Sequence, residues 1–403
     1  MIKQQNNCPS QTKEKEIMKN SYKRLGNYIR EVNIRNTELT VTKLLGVSIQ
    51  KVLIPSIANT VGTDMSTYKI LKKGQFAYGP VTSRNGDKIS IALLKDYEEA
   101  IVSQAYTCFE IINNEDLLPE YLMMWFQRPE FDRYARFKSH GSAREVFDWA
   151  EMCNIELPIP SIETQREIVA EYNALQNRIE LNNQLIQKLE ETAQAIYRQW
   201  FVDFEFPNEE GKPYKSSGGE MIESELGPIP KGWSIEKIEN ISTIKAGGDK
   251  PETYSPNSNN NCHIPIYSNG IIKEGLYGYT NQAKYPTNSI TISARGTIGY
   301  CCLRFEPFDA IVRLLVVIPN NTVHLCYLYF LLKNYIFEES GSVQGQLTVP
   351  DILAIKFIRA DDTILTKYQI NTYILLSEIN FRKSNNDHYS QMASILLSKM
   401  AKI

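Results

Sequence analysis

Apolar residues recur at alternating spacings of four and three positions between Ile168 and Trp200. This period is a heptad seam, which favours a long helix packed against a partner helix over a helix with a single amphipathic face. At about 1.5 Å per residue, such a helix is roughly 50 Å long. The predicted seam contains Ile168, Leu175, Ile179, Asn182, Ile186 and Leu189.

A second seam of the same spacing lies about 200 positions later, at Leu375, Ile379, Tyr389 and Leu396. Its centre is more polar than that of the first seam, so this helix would pair poorly with a copy of itself. We therefore expect the two helices to form an intramolecular antiparallel pair, in which Asn182 makes polar contacts near the middle. The alternative is two separate helices, each packed on its own domain.

The same shift aligns other parts of the sequence with each other, which indicates an internal duplication. Gly141-Ser142 matches Gly341-Ser342, and Ile155 matches Ile355. Matches that keep the same order in both halves are hard to obtain by chance. With small insertions, further matches are Tyr121-Leu122 with Tyr327-Leu328, and Ala100-Ile101-Val102 with Ala310-Ile311-Val312.

Each half begins with a globular part, in which short β-type runs are separated by Asn-Gly and Arg-Gly turns. The predicted fold class is α/β, or mixed α+β, with two domains joined by the antiparallel helix pair in approximate two-fold pseudosymmetry. Turn-forming residues between the halves predict a linker. The predicted boundaries are a polar tail at 1–20, a first domain at 21–161, a first helix at 162–204, a linker at 205–231, a second domain at 232–360 and a second helix at 361–403.

Composition restricts the kinds of partner and compartment. The chain has 44 basic and 46 acidic residues and a formal net charge of −2, so contact with nucleic acid requires local basic patches. Seven cysteines without a C-x-x-C pair argue against a zinc ribbon, and their odd number indicates reduced thiols. We expect neither a signal peptide nor a membrane-spanning segment, and therefore a cytoplasmic protein.

Motifs of the expected enzyme classes are missing from the sequence. It has no Asn/Asp-Pro-Pro-aromatic run, with which an adenine methyltransferase holds its base. The glycine-rich run that ends in Lys250 fails the phosphate-loop pattern, because Pro251 follows the lysine. The four histidines show no metal-ligand spacing. We therefore expect a chain that is not an enzyme and that holds neither a metal nor a cofactor.

Several motifs in order resemble one family. The run Tyr197–Glu205, followed by Glu225–Trp233, resembles the central region of the specificity subunits of type I restriction–modification systems. Leu157–Pro160, followed by Gln165–Ile168, is similar to the entry into the spacer helix of that family. Ser293–Gly299 is similar to a strand and turn of its recognition domains. The resemblance spans nearly the whole chain.

The chain departs from the family pattern at two places. Its second helix begins with Ala360–Thr363 instead of a proline-rich entry, and the first domain has Thr82–Lys88 where the family pattern has Ala-Arg-Gly-Thr-Ile-Gly. These departures bear on helix pairing and on DNA preference more than on membership.

The resemblance implies that each domain is a target recognition domain, which reads one half of a split site in double-stranded DNA. It also implies two methyltransferase (modification) subunits that carry S-adenosylmethionine, and ATP-driven motor-nuclease subunits for restriction. The expected function is a sequence-specific DNA-binding specificity subunit. Two alternatives are the DNA-recognition part of a fused restriction–methylation enzyme, and a coiled-coil interaction protein without a DNA role.

Contacts with DNA need cations and amides on anchored loops. Arginine can bridge O6 and N7 of guanine, and asparagine or glutamine can bridge N6 and N7 of adenine. For each side chain the alternative is an ordinary solvated surface group. The candidates are Arg30, Asn33, Arg35, Arg84, Asn85, Lys88 and Arg144 in the first domain, and Lys245, Lys250, Tyr267, Asn269, Arg295, Gln344 and Gln346 in the second.

An apolar cluster of Trp200, Phe201 and Phe204 lies at the end of the first long helix. It predicts either a docking face for a methyltransferase subunit or a cap that packs the helix end against a neighbouring domain.

Overall fold

The structure is a computed structural model, and it describes residues 22–56, 62–83, 85–141, 144–337 and 346–402. The chain folds into two compact units. The first unit consists of residues 1–181 and 386–403, and the second consists of residues 182–385. Both boundaries fall inside long helices, so each unit contains one segment of either helix.

The first unit is a mixed α/β unit built on a four-stranded antiparallel sheet. The sheet has the order β2–β9–β6–β7, and the pairs β1–β10, β3–β4 and β5–β8 form two-stranded ribbons. These elements are β1 (Tyr22–Arg24), β2 (Ile29–Val32), β3 (Leu45–Val47), β4 (Leu53–Pro55), β5 (Lys69–Lys72), β6 (Phe76–Tyr78), β7 (Ile91–Leu93), β8 (Glu99–Val102), β9 (Thr107–Ile111), α1 (Pro119–Gln127), α2 (Pro129–Phe137), α3 (Trp149–Cys153), β10 (Glu156–Pro158) and the first half of α4 (Ile162–Phe201).

Aromatic side chains fill the core between this sheet and helix α1. The rings of Phe76 and Phe109 stack across β6 and β9 with centroids 4.8 Å apart, and Phe126 of α1 meets both rings edge-on. All three side chains are fully buried. Alternate residues of a strand share one face, so Phe76, Tyr78 and Phe109 present one aromatic surface to helix α1.

The second unit repeats this plan. Its main sheet has the order β14–β20–β17–β18, and smaller sheets are β11–β12, β13–β21 and β16–β15–β19. The elements are the second half of α4, β11 (Met221–Ile222), β12 (Ile229–Pro230), β13 (Ser234–Lys237), β14 (Ser242–Ala246), β15 (Ile264–Tyr267), β16 (Leu276–Thr280), β17 (Ser289–Ile292), β18 (Cys301–Arg304), β19 (Asp309–Ala310), β20 (Leu315–Pro319), α5 (Leu325–Asn334), α6 (Val349–Leu353), β21 (Lys356–Arg359) and the part of α7 (Asp362–Lys399) up to residue 385. The rest of α7 belongs to the first unit.

Equivalent hydrogen bonds recur at equivalent places in the two units. The hydroxyl of Tyr121 on α1 donates to the carbonyl of Pro158 at 3.0 Å, and the hydroxyl of Tyr327 on α5 donates to that of Ile358 at 2.6 Å. With the matching strand orders, these bonds show that the repeat in the sequence is a repeat of structure.

The long helices extend beyond the stretches that the seams indicate, because each is capped just before its first turn. The Ser161 hydroxyl accepts from the Thr164 N–H at 3.4 Å before α4, and the Asp361 carboxylate accepts from the Thr363 N–H at 2.9 Å before α7. Serine and aspartate satisfy free N–H groups at helix starts. As a result α4 has 40 residues and α7 has 38.

Within each unit the two helix segments pack together in antiparallel fashion. In the second unit Asn182 is buried and accepts a hydrogen bond from Arg382 at 3.0 Å, while Trp200 contacts Tyr368. The start of one segment therefore lies beside the end of the other. The prediction of an antiparallel helix pair is confirmed, and Asn182 makes its polar contact with Arg382.

All of the predicted seam positions are buried or half-buried, and the polar positions between them are mostly exposed. In the first unit the segment around Ile168 packs with Leu397 and Met400. In the second unit Ile186 and Ile379 belong to one core. The seam thus continues directly into the core of each unit.

The stretch predicted as a linker, 205–231, packs onto the second unit. Phe206 is buried and stacks on Trp233 with ring centroids 4.8 Å apart, and Tyr214 stacks on Phe206 at 4.6 Å. Turn-rich composition indicated an irregular backbone, but it did not reveal that these aromatic rings fasten the segment to a domain.

Candidate DNA interface

Two loops of the first unit lie side by side and carry three of the predicted DNA contacts. The guanidinium of Arg136 donates to the Gly86 carbonyl at 3.0 Å and pairs with the Glu145 carboxylate at 3.2 Å. It thereby ties the loop that holds Asn85 and Lys88 to the loop that holds Arg144. Lys88 and Arg144 are exposed.

The loop at 82–88 has the backbone of a tight turn. The Asn85 N–H donates to the Thr82 carbonyl at 3.0 Å, and Gly86 has a φ of 63°. Asn85 is half-buried, and its side-chain amide faces the Val81 carbonyl at 3.4 Å. Its neighbour Arg84, also a predicted contact, lies outside the described residues.

Gly141, directly after the bridge between His140 and Val146, occupies a position that requires glycine. His140 and Val146 exchange two backbone hydrogen bonds, and Gly141 between them has a φ of 132°. A Cβ atom at Gly141 would lie 2.1 Å from the Arg144 carbonyl oxygen, which is impossible. This glycine therefore fixes the backbone that presents Arg144.

The other predicted contacts of this unit lie on or just after β2. Arg30 pairs with Glu110 of β9 at 2.6 Å, which neutralises its charge, and Gln75 also donates to Glu110. These donors lower the pKa of the Glu110 carboxyl against the opposing effect of its partial burial. Arg35 donates to the Thr67 carbonyl, and Asn33 is exposed.

A buried ion pair supports the same unit from inside. The Lys51 ammonium lies 2.8 Å from the Asp132 carboxylate and donates to the Phe126 carbonyl at the end of α1. Burial lowers the pKa of Lys51 although Asp132 favours its charged form. The Asp132 carboxylate also accepts from the N–H of Ile89, just after the loop at 82–88.

In the second unit, the side chain of Asn269 joins two loops. Its amide donates to the Val312 carbonyl at 2.8 Å, and its carbonyl accepts from the Ala294 N–H at 2.8 Å. Because both polar atoms are used in this way, Asn269 holds the two loops together. The loops that it joins are those of Arg295 and Arg313.

Arg295 and Gln346, which the sequence predicts as separate contacts, lie together. The Gln346 carbonyl accepts from Nε of Arg295 at 3.1 Å and from Nη2 at 2.6 Å. This neutral partner orients the guanidinium plane and leaves its charge uncompensated. Gln344 lies outside the described residues.

Sequence reasoning missed Arg313. It follows Val312, and both residues have left-handed backbone, with φ of 59° and 54°. The Arg313 N–H donates to the Gly247 carbonyl at 3.1 Å, and the Val312 N–H donates to the Gly248 carbonyl at 2.9 Å. A Cβ atom at Gly247 would lie 2.7 Å from the Ala310 carbonyl oxygen, so glycine is needed there for the two segments to approach. A β-branched residue in this region is strained, and such strain is concentrated at functional turns. Arg313 is exposed, and the structure gives its guanidinium no partner among the described residues.

The remaining candidates of the second unit differ in exposure and in their contacts with neighbouring side chains. Lys245 is exposed on β14, and Lys250 lies over the ring of Tyr254 at 3.5 Å. Tyr267 is half-buried beneath the Arg304 guanidinium, which is 3.5 Å from its ring centroid. Burial raises the pKa of Tyr267 well above its ordinary value, so it keeps its proton.

Comparison with known proteins identifies the family. A family model described as the type I restriction modification DNA specificity domain matches residues 8–191 and 230–358, which is most of the chain. The chain belongs to this family.

Relatives of this DNA specificity family support the assignment. The chain is 21% identical to the HindI specificity subunit of Haemophilus influenzae, over 87% of this chain and 90% of that protein. It is 26% identical to the MjaIX specificity subunit of Methanocaldococcus jannaschii, over 64% and 62%. A crystal structure of an S subunit from M. genitalium matches with a TM-score of 0.62, at 13% identity, over 94% and 95%. The last likeness concerns the fold.

The apolar cluster at the end of α4 is part of the core of this specificity protein. Trp200, Phe201 and Phe204 are buried, and they pack against Trp233 and Tyr368. Of the two interpretations that the sequence left open, this geometry favours the packed helix end.

Helix α7 carries a second apolar stripe that faces solvent. Ile370, Ile374 and Phe381 of the second unit are each about 60% exposed, and Met392 and Ile395 of the first unit are more than half exposed. On α4 the exposed large apolar side chains among the described residues are fewer and smaller in exposed fraction, at Leu181 and Leu185. The two helices therefore differ on their outer faces.

The described residues hold no cluster of three or more metal-ligating side chains, and none of their helices is apolar and long enough to cross a membrane. The described cysteines are free thiols, and burial raises the pKa of Cys108 to about 11 and that of Cys326 to about 12.

Proposed function

We propose that this chain is a non-catalytic specificity subunit that reads a bipartite DNA target, one half with each unit. The observation that carries the proposal is the same in both units. Cations lie on loops that the fold ties together, and the described residues offer them no carboxylate partner: Lys88 and Arg144 in the first unit, Arg295 and Arg313 in the second.

Such a surface binds DNA in two stages. The loop cations first neutralise phosphates, so affinity falls steeply as salt concentration rises. Base-edge contacts then fix the register, and an oriented arginine such as Arg295 can bridge O6 and N7 of one guanine. A net charge of −2 is compatible with this binding, because the uncompensated cations are local.

We further propose that methyltransferase subunits dock on the outer face of α7, rather than on the buried rings near Trp200. An exposed apolar stripe along a helix is suited to a protein partner of similar character. S-adenosylmethionine and ATP would then be bound by the partner subunits. A single Ile374→Asp substitution is expected to prevent assembly while leaving the fold of this chain unchanged.

The helix pair would set the length of the gap between the half-sites. Insertion of seven residues after Leu185, matched by seven after Asn380, keeps both seams in phase and adds roughly 10 Å at about 1.5 Å per residue. That length corresponds to about three base pairs. We expect a wider gap with unchanged half-sites, and altered half-site sequences would contradict the proposal.

The experiment that tests the whole proposal is methylation mapping of a host that carries this chain with its modification subunits. We expect one split adenine-methylated motif, and footprinting should show two protected segments. One continuous protected segment, or methyl transfer by the purified chain alone, would refute it.

A further inference from the structure

The β15–β16 hairpin of the second unit ends in two adjacent exposed isoleucines. Ile271 is 55% exposed and Ile272 is 82% exposed. Single exposed apolar residues are common on proteins, but a hairpin tip normally carries turn-forming polar residues. We therefore expect this pair of isoleucines to contact a binding partner.

The tip is held in one strained conformation. Gly270, Lys273, Glu274 and Gly275 all have positive φ, and two of them are not glycines. The Ser268 N–H donates to the Gly275 carbonyl at 2.9 Å and closes the hairpin. Left-handed residues persist only where surrounding contacts maintain them.

Those contacts come from a buried arginine. Arg304, which is almost fully buried, donates from Nη2 to the Glu274 carbonyl at 2.7 Å and from Nε to the Thr291 hydroxyl at 3.0 Å. Lys383 of α7 holds the Glu274 carboxylate at 2.8 Å. The tip is thus braced from the sheet and from the long helix, so its two isoleucines are presented on a rigid support.

The base of the same hairpin lies beside the candidate DNA interface. Asn269, one residue before Gly270, is bonded to the loops of Arg295 and Arg313. A rigid apolar tip with uncompensated arginines next to it has the chemistry of proteins that insert apolar side chains between base pairs, while cations hold the phosphates.

We propose that Ile271 and Ile272 form a wedge that enters the minor groove and separates two stacked base pairs at the second half-site. The proposal rests on the proposed function, since it assumes that this unit reads DNA. It adds a physical role, because an adenine must leave the base stack before it can be methylated. A braced tip can keep bases apart, whereas a loose one would be displaced by their stacking.

The test uses the full chain with its modification subunits and the duplex defined by methylation mapping. 2-Aminopurine, whose fluorescence rises on unstacking, replaces one base at a time in the second half-site. The parent complex should raise the fluorescence at one step. The Ile271→Ala/Ile272→Ala variant should abolish the rise and bind about tenfold more weakly. Leu226→Ala, an exposed apolar residue of the same unit, should match the parent.

Two results would overturn the wedge. One is a tip variant that keeps the parental fluorescence rise and affinity. The other is a parent complex that shows no unstacking, although the tip variant still binds more weakly. If replacing thymine by uracil weakens binding of the parent complex to the same extent, the isoleucines contact a thymine methyl group instead. A parent complex that binds no specific duplex would instead refute the proposed function.

Discussion

The two units share a framework and fix their loops by different means. In the first unit the charged side chain of Arg136 ties two loops through one carbonyl and one carboxylate. In the second unit the neutral side chain of Asn269 ties two loops through backbone groups alone. A repeated core can therefore carry loops of different sequence, each pair held together by its own connecting side chain.

If the two cores are equivalent, removing the same buried side chain from either one should destabilise its unit to the same extent. Leu122 of α1 and Leu328 of α5 are both fully buried. Leu122→Ala and Leu328→Ala should each destabilise the unit concerned by about 2–5 kcal/mol, through lost burial and the cavity left behind. Hydrogen exchange measured separately in each unit reports these losses. A loss in one unit only would show that the two cores are not equivalent.

The next prediction concerns discrimination between DNA bases rather than the stability of the fold. Arg295→Lys removes the bidentate geometry but keeps the charge, so discrimination at one base of the second half-site should fall by about 1–3 kcal/mol. Lys88→Ala should weaken binding uniformly and reduce its salt dependence. Competition with half-site variants separates the two outcomes. Relaxed specificity at the first half-site after Arg295→Lys would contradict the division of labour.

Substitution of the two connecting side chains, Asn269 and Arg136, should destabilise the joined loops to different extents. Asn269→Asp keeps the acceptor for Ala294 but faces the Val312 carbonyl with an oxygen, which should cost about 1–3 kcal/mol. Arg136→Met breaks a partly exposed ion pair worth about 0–1 kcal/mol and one hydrogen bond. Exchange rates of the joined loops provide the measurement. Equal changes in exchange rate after both substitutions would show that the two connecting side chains hold their loops equally strongly.

The smallest effect is a pH dependence confined to the first unit. Burial lowers the pKa of Lys51 below 10.5, so between its folded pKa and 10.5 the unfolded chain binds more protons. Stability should therefore rise with pH in that window and level off above it. Lys51→Met/Asp132→Leu should flatten this dependence relative to the parent, as measured by urea unfolding. An identical pH profile would show that Lys51 is not linked to folding.

The sequence predicted the features that repeat. Heptad spacing around Asn182 predicted the helix pair, because burial along a seam dictates side-chain character at every turn. The duplication predicted two units, and the strand orders repeat accordingly. Sequence reasoning did not identify the capping side chains: Ser161 accepts from the Thr164 N–H, and Asp361 accepts from the N–H groups of Thr363 and Ile364.

The sequence could not distinguish a free polar side chain from one already engaged. Arg30 and Asn269 were predicted as DNA contacts from residue type, but their partners lie 80 and 25–43 positions away in the chain. Arg313 escaped notice because its exposure depends on a strained turn within an apolar run. Trp200 gave no sign of whether it faced the core or a partner, because its contact with Tyr368 joins residues far apart in the chain.

The first unit is assembled from both ends of the described chain. The hydroxyl of Tyr22 donates to the Ala401 carbonyl at 2.9 Å, and Met400 is buried in that unit's core. The second unit is one continuous stretch, 182–385. During synthesis on the ribosome the later-made unit can therefore close first, while the earlier-made one waits for residues 386–402 to emerge. Premature termination in that last stretch would leave the second unit folded and the first unit without part of its core.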